Sequence, residues 1–433
     1  MMKVTIQPNH LEGEIVIPPS KSISHRAVIA ASMASGYSKL ENIVFSKDII
    51  ATCDAMQDFG INVNTYPGRV DIISDGHLRA PIHPVQCNES GSTLRFLVPF
   101  GGLVDKPVVF SGKPSLMSRP LSPYFDIFNK QGIRYEYRAK MPLLVEGELK
   151  PGIYEVPGDV SSQFITGLMF ALPSLKEDSQ IVVTSPLESK QYVDITMDVL
   201  KTFGVEIINH NYEHFTIKGG QRFTPHNFRV EGDYSQAAFW IVAGLLDGDL
   251  TLKDLSAQSL QGDKAILEIC KSMGGKIIEE TSQASQASQA TQTSNLHILK
   301  SETHGTVIDG SQCPDIVPVL AVLAALSEGE TKIINASRLR IKESDRLKAI
   351  ATELSKLGAD ITEADDGLII QGKTSLKGGI VDSWNDHRIA MSLAVASLRC
   401  EGEVIITNSS AIDKSYPHFF QEFKRVGGII SEN

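Results

Sequence analysis

With 433 residues, 42% of them hydrophobic, the chain is long enough to bury more than one large core. Its net charge of −10 speaks against nucleic acid as the main partner, because phosphate backbones select basic surfaces. Five scattered cysteines without a CxxC pair give neither a disulfide framework nor a zinc site, and no apolar run is long enough to cross a membrane.

The chain opens with two strand candidates, KVTIQP and GEIVIP, and no signal-peptide core, so a cytoplasmic protein without membrane partners is expected. From Pro18 the stretch PPSKSISHRAVIAASMAS places Lys21, Ser22, Ser24, His25 and Arg26 at the head of an Ala-rich helix. An amphipathic helix follows, DAMQDFGINV, which stops at a glycine and turns into β-type residues. This second pattern recurs as DIFNKQGIRYEY, MDVLKTFGVEI, EICKSMGGKII, TELSKLGADI and EFKRVGGII. The turn glycines are Gly60, Gly132, Gly204, Gly274, Gly358 and Gly427, separated by 72, 72, 70, 84 and 69 residues. Each is placed to end a helix in the left-handed conformation.

The long interval contains a 14-residue low-complexity tract, TSQASQASQATQTS, from Thr281 to Ser294. Without it the spacing returns to 70, so the tract reads as a flexible loop inserted between strands.

The polar-headed helix also recurs, at SGSTLRFLVPFGGL, SSQFITGLMFALP, YSQAAFWIVAGLL, CPDIVPVLAVLAAL and NDHRIAMSLAVASL. A helix that is apolar all round belongs in a core, which leaves only its N-terminal end to meet a ligand. The sixth repeat is too short to complete its strands after Gly427, so the N-terminus is expected to close it. Residues 1–19 with 232–433 then form one domain of three repeats and residues 20–231 the other. The two crossings lie side by side, as in a hinge.

Ser, Asp and Asn at helix starts are ordinary caps, and Ser24 and Asp315 each have that reading open to them. Capping does not explain cations there, because the helix macrodipole disfavours them. Lys21, Arg26, Arg95, Arg119, Lys342, Arg346, Arg388 and Lys414 cluster at such starts or in nearby loops. In an acidic protein this set suits a small polyanion carrying phosphates and carboxylates, which arginine grips bidentately. There is no P-loop motif, and His387 lacks a spaced partner for a metal site. Asp315 and Glu343 are carboxylates among cations, which makes them candidates for an acid–base pair.

Taken in order, PPSKSISHRA, ESGSTLRF, VSSQF, SKQYVDIT, IKESDRL, NDHRIAM and DKSYP resemble the serial motifs of the 3-phosphoshikimate 1-carboxyvinyltransferase (EPSP synthase) family over nearly the whole chain. The resemblance implies an α/β fold: a two-domain inside-out α/β barrel, each domain three βαβαββ repeats, with the active site in the interdomain cleft. It implies a monomer without metal or organic cofactor, whose domains close around phosphoenolpyruvate and shikimate 3-phosphate. The enolpyruvyl group passes to the 5-hydroxyl by addition and elimination, a step of chorismate and aromatic amino acid biosynthesis.

Carried over by position, Lys21, Ser22, Arg26, Ser161, Ser162, Gln163, Ser189, Tyr192, Asp315 and Lys342 meet shikimate 3-phosphate. Lys21, Gly91, Arg119, Gln163, Arg346, Arg388 and Lys414 hold phosphoenolpyruvate. Lys21 joins Asp315, which accepts the hydroxyl proton, and Glu343, which exchanges a proton at the methylene carbon, as the catalytic set. Two positions depart from the family: Arg338 stands where some members have Asn, and Phe96 where well-known members have Pro. The resemblance assigns no role to His25 or to the tract.

Three alternatives fit the sequence less well. The sister transferase acting on UDP-N-acetylglucosamine uses a loop cysteine, and the corresponding SGKPSLMSRP has none. A non-catalytic anion-binding protein on this scaffold would have lost some charged motifs, and none is missing. An RNA-terminal-phosphate cyclase, of related fold, fits poorly with the acidic charge and the missing nucleotide signature.

Overall fold

The structure is a computed structural model and describes residues 2–117, 119–137, 142–281 and 293–432. The chain divides into two compact units, Met1–Ser20 with Glu231–Asn433, and Lys21–Val230. Each crossing lies one residue from the boundary expected from the repeats. The two crossings are adjacent: Ser20 N–H donates to the Glu231 carbonyl at 2.8 Å, and Pro19 pairs with Gly232.

Among the described residues there are six four-stranded sheets, three in each unit. In Val85–Gln86, Val108–Ser111, Arg134–Glu136 and Leu143–Glu146, the first two strands are parallel and the remaining pairs antiparallel. A parallel pair needs a crossover, and the helix Gly91–Leu97 lies on it. The amphipathic helix Ser122–Gln131 then leads through Gly132 to the closing hairpin. In order of the repeat the strands stand 1-2-4-3, and all six sheets share this arrangement. It is the βαβαββ unit.

Three sheets borrow a strand from a distant part of the chain. Lys3–Gln7 lies between Val404–Thr407 and Ile429–Glu432, so the N-terminus does close the last repeat. Leu11–Val16 pairs in parallel with Gly248–Ser256, and Phe228–Arg229 with Gly36–Glu41. The helix that follows Leu11–Val16 in its repeat is Tyr234–Asp247, because the whole other unit is inserted between them. All six turn glycines have φ between +72° and +105°, where a β-carbon would be strained.

One reading of the sequence needs correction. The tract from Thr281 to Ser294 is not loop throughout: Thr281 ends the strand Lys276–Thr281, and Thr293 and Ser294 begin Thr293–Leu299. Thr281 is registered opposite Ser294, so β-propensity carries the hairpin into the low-complexity sequence. Residues 282–292 lie outside the described residues.

Each unit has its own core. In the terminal unit the helices Tyr234–Asp247, Val317–Ala325 and His387–Ala396 pack on one another. In the inserted unit Gly91–Leu97 packs on both Lys21–Met33 and Ser162–Ala171. Burial along their whole length fixes these helices, and leaves their polar first turns as the places where function can reside.

Candidate active site

In the terminal unit three helix starts are tied together by charge. Arg388, second residue of the His387–Ala396 helix, donates from Nη2 to Ser235 Oγ and to Asp315 Oδ2, each at 3.0 Å. Asp315 Oδ1 accepts from Arg346 Nη1 at 2.9 Å and lies 3.9 Å from Lys342 Nζ. Asp315 sits in a 3-10 turn, Pro314–Ile316, that makes no side-chain cap bond, so it is an ion-pair hub and not an N-cap.

Asp386 does cap the His387–Ala396 helix, accepting the Arg388 N–H at 2.9 Å, and takes two further bonds from Arg346. Burial alone would push the Asp386 carboxyl up, but the adjacent Arg346 guanidinium outweighs it and holds the group below its ordinary value. Arg346 is raised in return by Asp386, Asp315 and Glu343, against the effect of its own burial. Lys342 is pushed down to about 8, first by burial and then by Arg338, Arg346 and Arg388, with Asp315 opposing.

Glu343 accepts from or shares a proton with His387 Nδ1 at 2.9 Å. Glu343, Asp386 and His387 bring three potential ligand atoms within 4.8 Å of one another, closer than the sequence suggested for His387. Arg346 already holds both Asp386 oxygens, and a cation there would compete with a buried guanidinium. The donor set therefore suits an ion-pair network better than a metal.

Lys414 Nζ donates to the Asn385 carbonyl at 2.6 Å. That carbonyl lies in a turn where Trp384 and Asn385 both have left-handed φ, +54° and +52°. Consecutive residues in this region persist only when their surroundings hold them. The buried Glu353 carboxylate does so, accepting from Trp384 Nε1 at 2.7 Å and from the Asp382 N–H at 2.9 Å.

The inserted unit carries the other residues. Lys21 opens its helix and pairs with Asp48 at 2.9 Å. Ser22 gives its carbonyl to Arg26 Nη1 at 2.8 Å. Arg26 is 2% exposed and also donates to Thr196 Oγ1, Thr166 Oγ1 and the Tyr192 carbonyl. Its guanidinium lies 4.9 Å from the Phe96 ring centre and 6.0 Å from that of Tyr192. Burial pushes it down to about 9, with Tyr192 opposing, so it stays charged at neutral pH. Arg26 therefore clamps three helices together beneath the first turn. Ser24 is buried within its helix and does not cap it.

Gly91, Arg119 and Gln163 converge. A β-carbon on Gly91 would meet Arg119 Nη1 at 3.0 Å and Gln163 Oε1 at 3.7 Å. The Gln163 amide is fixed at both ends, accepting from Arg95 Nη1 at 2.9 Å and donating to Ser92 Oγ at 3.0 Å. Ser161 caps the Ser162–Ala171 helix, and Ser162 is buried in its first turn. Ser189 precedes the helix Lys190–Thr202 in a left-handed conformation, φ +54°, and is buried.

Among the partners not singled out from the sequence are Asp48, Ser235, Glu353 and Asp386. Asp386 stands inside NDHRIAM, where its place before an apolar helix marks a cap but not an arginine partner. The other three carry no signal of their own, since each matters only through a residue far away in the chain.

The comparisons with known proteins agree with one another. The EPSP synthase (3-phosphoshikimate 1-carboxyvinyltransferase) family model matches residues 6–423. The 3-phosphoshikimate 1-carboxyvinyltransferase of Clostridium novyi (strain NT) is 53% identical over 442 residues, covering 100% of this chain and 99% of that protein. That of Clostridium perfringens (strain 13 / Type A) is 51% identical, covering 100% of both. A solved structure of EPSP synthase from Acinetobacter baumannii matches with a TM-score of 0.85 at 26% identity, covering 100% of both chains.

Proposed function

The chain belongs to the EPSP synthase family, and on that premise we propose that it moves the enolpyruvyl (1-carboxyvinyl) group of phosphoenolpyruvate to the 5-hydroxyl of shikimate 3-phosphate, releasing phosphate. The product feeds aromatic amino acid biosynthesis. The observation that carries the reading is the Asp315 carboxylate, held between Arg346 at 2.9 Å and Arg388 at 3.0 Å, in the unit that also holds Glu343. It supplies cations for phosphate and carboxylate groups beside two carboxylates able to move protons.

The roles are those the resemblance implies, and this chemistry supports them. Arriving anionic groups compete with Asp315 for the two guanidinium groups and release a carboxylate oxygen to the 5-hydroxyl. Asp315 takes that proton as the sugar oxygen bonds to the central carbon of phosphoenolpyruvate. Glu343 delivers a proton to the methylene carbon, giving a tetrahedral adduct. In the second step it removes a proton from the new methyl group as the C–O bond to phosphate breaks. Lys21, Arg119, Arg346, Arg388 and Lys414 balance the charge that develops, a large catalytic term where donors are already oriented. Ser161, Ser162, Gln163, Ser189, Tyr192 and Lys342 orient the sugar phosphate, with Ser22 and the Arg26 clamp shaping that side. Gly91 leaves room beside Arg119 and Gln163.

We further read the chain as a cytoplasmic monomer. All five cysteines are free and buried, which suits a reducing compartment, and among the described residues no helix is long and apolar enough to cross a membrane.

Phosphate release from phosphoenolpyruvate, measured with shikimate 3-phosphate and then with UDP-N-acetylglucosamine, tests the assignment. Turnover with the first alone is expected, and turnover with the second alone would overturn it. Sedimentation at working concentration tests the monomer.

A further inference from the structure

His25, like Ser24, is a member of the opening polar cluster that the reaction leaves unused. It lies one helical turn after Lys21, and Thr52 lies one turn after Asp48 on the helix Lys47–Asp58. Two rungs therefore join these helices. Lys21 and Asp48 form the first, and His25 Nδ1 with Thr52 Oγ1, at 2.7 Å, the second.

The second rung continues. Thr52 Oγ1 lies 2.7 Å from Thr93 Oγ1, and the Thr93 hydroxyl donates to Ser90 Oγ at 2.7 Å. Ser90 Oγ also accepts the Thr93 N–H at 3.1 Å and so fixes the turn that enters Gly91 and Ser92. His25, Thr52, Ser90 and Thr93 are each 0% exposed, so water cannot replace any link.

Each hydroxyl has a single proton, which sets the direction of the chain. Thr93 gives its proton to Ser90, so it accepts from Thr52. Thr52 has then given its own, and accepts from His25 Nδ1–H. Burial, followed by the charges of Lys21 and Arg26, holds the imidazole well below its ordinary pKa, so it is neutral and Nε2 bears only a lone pair. That atom is buried without a partner among the described residues, beside the Phe96 ring at 6.4 Å between centres. The opposite tautomer would bury an unpaired N–H and reverse the chain at Thr52.

A ring needed only for packing would not require this run of polar atoms in a core, where each unmatched group is costly. The run ends at the turn whose neighbours are Arg119 and Gln163. We propose that His25, acting through Thr52, Thr93 and Ser90, is a positioning residue for the phosphoenolpyruvate side of the site. This rests on the reading that Gly91, Arg119 and Gln163 hold that substrate.

The amide nitrogen of asparagine overlays Nδ1 of histidine, and that of glutamine overlays Nε2. The test compares His25→Asn, His25→Gln and Thr52→Val in the full chain, by KM for each substrate and by thermal midpoint. His25→Gln and Thr52→Val are expected to raise KM for phosphoenolpyruvate about fivefold to tenfold, the loss of roughly one buried hydrogen bond, with KM for shikimate 3-phosphate within about twofold. His25→Asn is expected to restore most of that KM while sharing the lower midpoint of His25→Gln. A Thr52→Val enzyme with unchanged KM for phosphoenolpyruvate would overturn the proposal, and so would an equal rise for both substrates. Should His25→Gln fail to fold, Thr52→Val decides alone, because it keeps the ring and the volume. Absence of any turnover by the unsubstituted chain would overturn the functional reading as well, whereas turnover with unmoved KM values overturns only the relay.

Discussion

Arg346 and Asp386 are joined twice inside the terminal unit, Nε to Oδ2 at 2.8 Å and Nη2 to Oδ1 at 3.3 Å. Both side chains are buried, at 3% and 0% exposure, and the same guanidinium reaches Asp315. The fork holds Arg346 in one orientation, so its remaining donor can be aimed.

Removing one side of this pair should unfold the protein more easily than it slows it. Asp386→Ala leaves a buried guanidinium short of its main partner and is expected to cost about 3–5 kcal/mol. Urea unfolding measures it; a loss below 1 kcal/mol would show that water or Asp315 compensates. Because the Asp386 pKa is held down on folding, its contribution is complete above the unfolded value of about 4 and is lost as pH falls through the folded value. Wild-type stability should therefore drop below about pH 4 more steeply than that of Asp386→Asn, which cannot titrate there.

Asp315 and Glu343 should behave in the opposite way. Both are partly exposed, at 18% and 14%, so their removal costs little burial. Asp315→Ala and Glu343→Ala are expected to lower kcat by roughly 100-fold or more, the range for general acid–base groups, while unfolding shifts far less. Near-native rates in both variants would remove them from the proton-transfer roles.

Lys342 gives an alkaline signature. Pushed down to about 8 in the free protein, it is protonated below that pH and neutral above it. Binding of an anionic substrate requires the protonated form, so kcat/KM for shikimate 3-phosphate should fall as pH rises through about 8. In Lys342→Arg the charge persists and the alkaline limb should move up. An unchanged limb in that variant would assign the titration to another group.

Residues 282–292 should be dispensable. Thr281 and Ser294 are paired across the hairpin, so the deletion must spare both strand ends. Replacement of 282–292 by Asn-Gly leaves a three-residue loop, with Thr293 as its last residue, between the paired Thr281 and Ser294, and loops of that length close hairpins readily. The phosphate-release assay is expected to remain near the wild-type rate, and a large loss would give the tract a function.

The sequence by itself determined the repeat. Six glycines at near-constant spacing, each after an amphipathic helix, could only mark six copies of one unit, because left-handed turns admit few other residues. It also singled out the polar heads of six apolar helices, since a helix buried on every side can show nothing else. Lys21, Asp315 and Arg388 stand at such heads, Arg346 opens an amphipathic helix instead, and the resemblance supplies the roles proposed for all four.

Only the tertiary structure decided who meets whom. Asp48 became the partner of Lys21, Asp386 of Arg346 and Ser235 of Arg388 across separations of 27, 40 and 153 residues. Hydrogen bonds and ion pairs act over a few ångströms and leave no periodic trace in a chain. For the same reason Arg26 reads as a ligand-facing cation in one dimension and stands as a buried clamp in three, and the line from His25 to Ser90 exists only once three helices have packed.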